Sequence, residues 1–432
     1  MSYFGRQMIK DKKKGGKTWV KSTNVYEVNL RQYTQEGTFA AFAGALPRLK
    51  DMGVETLWFM PITPIAQKGK KGTMGSYYAC SDYTSINPEF GTMEEWKALV
   101  KAAQGLGFKV IIDWVANHTG WDHPWTLTHP EYYEMDEQTG TFKAASGMDD
   151  IIELDFSNPA LRKEMIDAMK FWVTETGIDG FRCDLAFWVE LDFWIEAKAE
   201  LDKIAPLFWL AELEPLDHPE YMQVFDAAYT WKWMHDAQEF YREKIALSEL
   251  RQLLLRYERL DGTRAWFTTN HDENSWNGTE FEKYGEAATA LAVFSCTYPG
   301  LPLIYSGQEL PNHKRLEFFD KDVIEWTGEY NLHTFYKILL ELRKRNSALS
   351  AQASVQFIET DANEKVLVYL CKDQKQQVLV LLNLSDKPIH FDLLHSSIKG
   401  MYFNVFSGVE RDLSKAKKIA LNPWSFFVLE AK

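Results

Sequence analysis

Continuous apolar runs, separated by amphipathic stretches, dominate the first three-quarters of the chain. Runs such as 55–60 and 108–113 are apolar at successive positions rather than at alternate ones. That pattern is typical of parallel strands covered on both faces. Eight strands are predicted in this way: 24–30, 55–60, 108–113, 178–184, 207–212, 226–230, 264–269 and 301–305.

Helical stretches lie between these strands, and several begin at recognisable caps. Thr92 is followed by Glu95 three residues later, which predicts a capping box at the start of a helix. Another helix is predicted to begin at Thr38. It contains Pro47, which interrupts hydrogen bonding in a helix interior.

Repeated strand–helix units indicate a closed (β/α)8 TIM barrel. An open doubly wound sheet is the competing fold, but no glycine-rich phosphate-binding turn follows the first strand. We predict that the barrel comprises 1–114 and 158–348, with a short loop-rich insertion at 115–157 after the third strand. Short strands separated by turn residues predict a C-terminal antiparallel β-sandwich at 349–432.

Composition and charge limit the kinds of molecule that the protein is expected to bind. The chain has 432 residues, 46% of them apolar, and a formal net charge of −13. Nucleic acid and anionic membranes both require a basic face, so neither is expected as a partner. The lysine-rich leader at 1–20 lacks the apolar core of a signal peptide, which predicts a cytoplasmic protein unless a signal was trimmed. The four cysteines are widely spaced and predict free thiols rather than a zinc site.

Four of the predicted strands lead into charged or polar side chains. These side chains are Asn117 and His118 after the third strand, Arg182 and Asp184 on the fourth, Glu212 after the fifth, and His271 and Asp272 after the seventh. In a (β/α)8 barrel the carboxyl ends of the strands meet on one face, where catalytic residues lie. One Arg-x-Asp pair alone would be read as a structural ion pair. Several clustered carboxylates cost stability, which function explains better.

Paired carboxyl groups suit glycoside hydrolysis. One carboxylate attacks the anomeric carbon, and a second, protonated carboxyl group donates its proton to the leaving oxygen. Arg182 and Asp184 lie two positions apart on a strand and point the same way, so Arg182 is expected to lower the pKa of Asp184, the nucleophile. Glu212 follows an apolar run, where burial raises the pKa toward that of a general acid. The other polar residues of this rim are predicted to bind sugar hydroxyls: Asp272, His118 and His271.

Several ordered motifs resemble those of the α-amylase superfamily, glycoside hydrolase family 13, over about residues 22–432. They are Asp-Trp-Val-Ala-Asn-His at 113–118, Gly-Phe-Arg-Cys-Asp at 180–184, Ala-Glu at 211–212 and Phe-Thr-Thr-Asn-His-Asp at 267–272. The resemblance implies that Asp184 is the nucleophile, Glu212 the acid/base and Asp272 the carboxylate that stabilises the transition state. The stretch 77–83 is similar to the family's Gly-Tyr-x-x-x-Asp-Tyr, which implies that Tyr78 stacks on the sugar at the cleavage site. Arg182 is expected to contact the substrate beside it.

The chain departs from the family pattern at two places. Many α-amylases have a Lys-His pair where this chain has Phe187 and Trp188, which predict an apolar platform just past the cleaved bond. The stretch 151–155 resembles the family's Leu-Pro-Asp-Leu-Asp, with Glu153 in place of a calcium-binding aspartate, and Asn117 is retained. No cofactor is predicted to be required. Whether Asn117 and Glu153 bind a calcium ion is left open by the sequence.

These features predict a retaining enzyme that hydrolyses internal α-1,4-glucosidic bonds of starch, glycogen or maltodextrins through a covalent glycosyl-enzyme. A transglycosylase or a disaccharide isomerase of the trehalose synthase type would use the same nucleophile and acid/base, and remains an alternative. A non-catalytic glycan-binding protein would have lost a catalytic carboxylate, and none is lost. Trp121 and Trp125 in the insertion either line the cleft or pack the inserted subdomain.

Overall fold

A closed barrel of eight parallel strands forms the larger part of the protein. The computed structural model describes residues 17–395, 398–414 and 417–432, so residues 1–16 of the predicted leader at 1–20 lie outside the described residues. The strands, numbered 1 to 8 below, are Val25–Val28, Thr56–Phe59, Lys109–Trp114, Gly180–Cys183, Phe208–Ala211, Ala227–Tyr229, Thr263–Trp266 and Leu301–Tyr305. Their order around the ring is 1-8-7-6-5-4-3-2, which confirms the predicted TIM barrel.

Burial on both faces explains the continuous apolar sequence of these strands. Every residue of strands 1, 2, 4, 5, 6 and 8 is buried. Side chains such as Trp58 fill the centre of the barrel, while alternate ones such as Leu57 pack against the surrounding helices. Strands 4 and 5 approach closely at Gly180, where a Cβ would lie 2.1 Å from the carbonyl oxygen of Phe208. A glycine is therefore required at this position.

Helices cover the outside of the barrel. The longer ones are Met93–Gly105, Pro159–Thr176, Leu191–Asp202, Trp231–Tyr241, Leu247–Tyr257, Ala288–Thr297 and His333–Arg345, and the shorter ones are Leu30–Tyr33, Phe39–Ala43, Leu46–Met52, Trp125–Thr128 and Glu280–Tyr284. The capping box of Thr92 and Glu95 is present. None of the helices in the described ranges combines the length and apolarity needed to cross a bilayer.

The helix predicted from Thr38 is two helices rather than one. Phe39–Ala43 ends at Gly44, and Leu46–Met52 then begins with Pro47 in its first turn. A proline is tolerated there because the first turn has no intrahelical partner for its missing N–H.

The insertion after strand 3 contains a small antiparallel sheet that its weak periodicity did not predict. Its strands are His118–Gly120, Ala144–Ala145 and Met148–Glu153, with the last in the middle. The side chain of Lys71, in the loop after strand 2, pairs with Asp150 at 3.0 Å and so ties this sheet to the barrel rim.

The C-terminal part forms two antiparallel sheets, as predicted. Ser354–Phe357, Val366–Lys372, Gln377–Asn383, Phe426–Ala431, Met401–Asn404 and Glu410–Asp412 form the larger sheet in that spatial order, and Ile389–Asp392 pairs with Lys418–Leu421 in the smaller. Thr297 and Tyr369 share a 2.6 Å hydrogen bond that joins the larger sheet to a barrel helix. All four cysteines are buried free thiols, as expected.

Candidate active site

A buried arginine gathers three carboxylates at the carboxyl ends of strands 3, 4 and 5. Arg182 Nη1 lies 2.9 Å from Asp113 Oδ1 and 2.7 Å from Asp184 Oδ1, and its Nη2 lies 2.8 Å from Glu212 Oε2. The parallel register places Asp113 directly beside Arg182. Breaking such a buried pair would leave an uncompensated charge, so the four groups depend on one another.

Burial raises the pKa of the two carboxyl groups nearest the arginine. It raises the pKa of Glu212 to about 7, although Arg182 opposes the rise. Burial also raises the pKa of Asp184 to about 6, and here too Arg182 acts in the opposite direction. The expectation of a low pKa for Asp184 is therefore wrong: Arg182 does lower that pKa, but removal from water outweighs the ion pair. Of the two carboxyl groups, Glu212 has the higher pKa.

A strained turn after the fourth strand holds Glu212 in place. Leu185 has a left-handed φ of 39°, which is uncommon for a residue with a branched side chain. In this conformation its N–H donates to Glu212 Oε2 at 2.9 Å. The turn Ala186–Trp188 follows directly, so the acid and Trp188 are positioned by one short segment.

His271 connects a buried glutamate to the third carboxylate of the site. Its Nδ1 lies 2.5 Å from Glu27 Oε1, and its Nε2 lies 2.7 Å from the Tyr78 hydroxyl and 3.3 Å from Asp272 Oδ2. Burial by itself would lower the pKa of His271, but Asp272 and Glu27 outweigh it and raise that pKa well above its usual range. Burial likewise opposes the ionised form of Asp272, yet His271 holds the pKa of Asp272 below its usual value. The pair is an imidazolium beside a carboxylate.

These groups face a cavity of about 490 Å³ on the barrel rim. Its lining includes six of the residues predicted from the sequence: Tyr78, His118, Asp184, Trp188, Glu212 and Asp272. Arg182 and His271 lie behind this lining and contact it through the bonds described above. A cavity of this size, apolar with a few convergent polar groups, is typical of a small-molecule site.

Three aromatic residues singled out from the sequence do not line this cavity. Phe187 is 37% exposed and stacks on His218 with ring centroids 4.8 Å apart. The Trp121 indole N–H donates to the carbonyl of Asp149 in the insertion. Trp125 packs against other rings of the inserted subdomain. Of the predicted Phe187–Trp188 platform, only Trp188 reaches the cavity.

Comparison with known proteins identifies the family. The family model described as "Alpha amylase, catalytic domain" matches residues 15–134 and 127–251, and "Maltogenic Amylase, C-terminal domain" matches 355–428. The crystal structure of a noncanonic maltogenic alpha-amylase from Thermotoga neapolitana is 30% identical, with a TM-score of 0.87 over 95% of this chain and 99% of that one. The chain belongs to the alpha-amylase family. It is a glycoside hydrolase of the retaining type, as members of this family are.

Two further alpha-amylases match over most of the chain. One from Lactobacillus plantarum has a TM-score of 0.86 at 26% identity, over 96% of this chain and 100% of that one. Alpha-amylase 2 of Dictyoglomus thermophilum is 26% identical over 419 residues, which is 89% of this chain and 69% of that protein. The family thus accounts for both the barrel and the C-terminal sheets.

The residues at the position of the family's calcium site do not fit a calcium ion. Asn117 and Glu153 are close, since the Asn117 carbonyl accepts the N–H of Leu154 at 3.0 Å. However, Glu153 Oε2 lies 2.5 Å from the ammonium of Lys143, which already neutralises the carboxylate. Within the described ranges, no group of three or more His, Cys, Asp or Glu side chains is arranged to hold a metal. No step considered below depends on one.

Several residues of the site were not singled out from the sequence. Glu27 is an acidic residue within a buried apolar strand, and that contrast was a signal that could have identified it. Asp113 was noted only as the first residue of the motif at 113–118 and was given no role. Trp276, Phe318 and Phe319 also line the cavity. They lie on loops after strands 7 and 8, where no periodic pattern indicates which way a side chain points.

Proposed function

We propose that this enzyme hydrolyses α-1,4-glucosidic bonds of starch, glycogen or maltodextrins through a covalent glycosyl-enzyme. The observation that carries the proposal is one cavity lined by Asp184, Glu212 and Asp272, with Tyr78 and Trp188 as ring surfaces. Two carboxyl groups of different proton affinity are what a retaining glycosidase requires. The rings suit the CH faces of glucose units.

In the first step, protonated Glu212 gives its proton to the glycosidic oxygen while the Asp184 carboxylate attacks the anomeric carbon. The bond between that carbon and the leaving oxygen breaks, and an ester to Asp184 forms. In the second step, Glu212, now ionised, removes a proton from water, which attacks the same carbon and releases Asp184. Two inversions leave the product with the anomeric configuration of the substrate.

The remaining groups bind and orient the sugar at the cleavage site. Asp272 is proposed to bind hydroxyls of the distorted sugar, with its charge fixed by His271. Tyr78 is held by its hydrogen bond to His271 and supplies a ring face for the sugar at the cleavage site. Burial lowers the pKa of His118 to about 4, so its imidazole is neutral and suited to hydroxyl hydrogen bonds. No cofactor enters these steps.

Proton NMR of the enzyme with maltoheptaose tests the proposal. Shorter oligosaccharides that first appear as the α-anomer are expected, and Asp184→Asn should lower the rate by at least about 10³-fold without loss of folding. First products in the β configuration would overturn the proposal. Oligosaccharides longer than the substrate, formed without new reducing ends, would instead establish the transglycosylase alternative.

A further inference from the structure

One tryptophan of the cavity is unusually exposed. Of the sixteen tryptophans in the chain, Trp276 alone has more than half of its surface exposed, at 53%. It lies in the turn Glu273–Asn277, directly after Asp272. Its ring packs against those of Phe318 and Phe319 at interplanar angles of 38° and 56°, with centroids 5.3 and 5.7 Å away. All three rings line the cavity of the catalytic carboxylates, so the exposed indole faces the space that a substrate enters.

Trp276, Phe318 and Phe319 lie on the segments after strands 7 and 8, whereas Glu212 lies after strand 5, on another part of the barrel rim. The leaving sugar receives its proton from Glu212, and Leu185 and Trp188 form the wall beside that carboxylate. Phe318 instead lies parallel to Tyr78, with an interplanar angle of 18° and centroids 6.3 Å apart. Sugar units that extend past Tyr78 toward Phe318 therefore belong to the non-reducing, donor side of the bond.

We propose that Trp276, which packs against Phe318 and Phe319, binds the second glucosyl unit on the donor side of the cleaved bond and so determines which bond of a maltooligosaccharide is cut. This inference rests on the proposed function. An exposed indole that packs against two other rings offers a rigid face for the CH surface of a pyranose, and little side-chain entropy is lost when the sugar binds.

Polar groups complete this end of the cavity. Lys71 and Asp150 both line it and form an ion pair at 3.0 Å. The Lys71 ammonium also lies 6.0 Å from the centre of the Phe319 ring. A charged donor and acceptor at the edge of an aromatic face match a sugar, whose hydroxyls lie around the rim of the ring. The ligand class that fits is a neutral α-glucan.

The test measures where a reducing-end-labelled maltooligosaccharide is cut, using the shortest one from maltotriose to maltoheptaose that the wild-type enzyme cleaves. Cutting the first bond from the non-reducing end leaves one glucosyl unit on the donor side, and cutting any later bond leaves two or more. Trp276→Ala is expected to lower the ratio of later-bond to first-bond cleavage about tenfold, the loss of one aromatic contact. Trp276→Phe should restore most of the ratio.

This ratio distinguishes loss of sugar binding at Trp276 from a general loss of activity. Misfolding or misplaced carboxylates would lower the rates of first-bond and later-bond cleavage together. Leu127→Ala, which removes an exposed apolar side chain outside the cavity lining, serves as the control and should leave the ratio unchanged. An unchanged ratio in Trp276→Ala overturns the inference and leaves the proposed function intact. If the wild-type enzyme cleaves none of these substrates, the proposed function fails, and the inference with it.

Discussion

A substitution at Glu27 is the most informative one, because Glu27 is buried on strand 1 and, among the described residues, its side chain hydrogen-bonds to His271 alone. One of its oxygens lies 2.5 Å from His271 Nδ1, and the other, Oε2, has no hydrogen-bond partner within the described residues. Its carboxylate is one of two that keep His271 charged, the other being Asp272. Glu27→Gln keeps the shape of the side chain and removes the charge.

The size of the effect follows from this contact. A hydrogen bond to a charged group contributes about 1.5–3 kcal/mol, and about 1.4 kcal/mol corresponds to tenfold in an equilibrium constant. Glu27→Gln should therefore weaken proton binding by His271 by about one to two powers of ten. The sign is fixed, since a lost negative neighbour disfavours the imidazolium and moves the pKa of His271 down.

The assay is NMR titration of the enzyme labelled with ¹³C at the histidine rings, with the His271 signal assigned from His271→Gln. Glu309→Gln is the matched control. Glu309 is also fully buried, but it accepts hydrogen bonds from Tyr26 and Arg48 rather than from His271. His271 titrating at the same pH in wild type and Glu27→Gln, or moving equally in Glu309→Gln, would refute the reasoning.

Three other predictions concern the catalytic carboxyl groups, the Lys143–Glu153 ion pair and the close approach of the backbone at Gly180. Since Asp184 must be ionised and Glu212 protonated, kcat/KM should rise with pH through about 6 and fall through about 7, and a rate that stays flat to pH 8.5 would argue against Glu212 as the acid. Because Lys143 already neutralises Glu153, treatment with a calcium chelator should leave the Tm within about 1 °C, and a marked fall on chelation would show that a metal is held. Gly180→Ala forces a Cβ against a strand backbone and should lower the free energy of unfolding by about 1–3 kcal/mol or more in denaturant titration, whereas a change below about 0.5 kcal/mol would contradict the close approach.

The barrel could be predicted from the sequence because its strands lie in continuous apolar runs, several of them next to capped helices. The prediction missed elements that are short or half-exposed. Ala144–Ala145 spans two residues and cannot show a period. Glu410–Asp412 has no buried residue and so no apolar pattern. Both strands are defined by pairing with distant partners, which local pattern does not encode.

The same limit applies to the site. The two-residue spacing of Arg182 and Asp184 correctly predicted their contact. It did not predict the pKa of Asp184, because the burial that raises it depends on the folded structure around the carboxyl group and not on the neighbouring sequence. Trp276 was missed since its role depends on which loop faces the cavity, a property of the fold rather than of the neighbouring residues.

The most direct test of the mechanism is to trap the glycosyl-enzyme. Glu212→Gln removes the base that activates water, while a maltosyl fluoride needs no acid to leave, so the ester should accumulate. Peptide mass spectrometry is predicted to find the maltosyl adduct on Asp184. An adduct on Asp113, Asp272 or any other carboxylate would contradict the account.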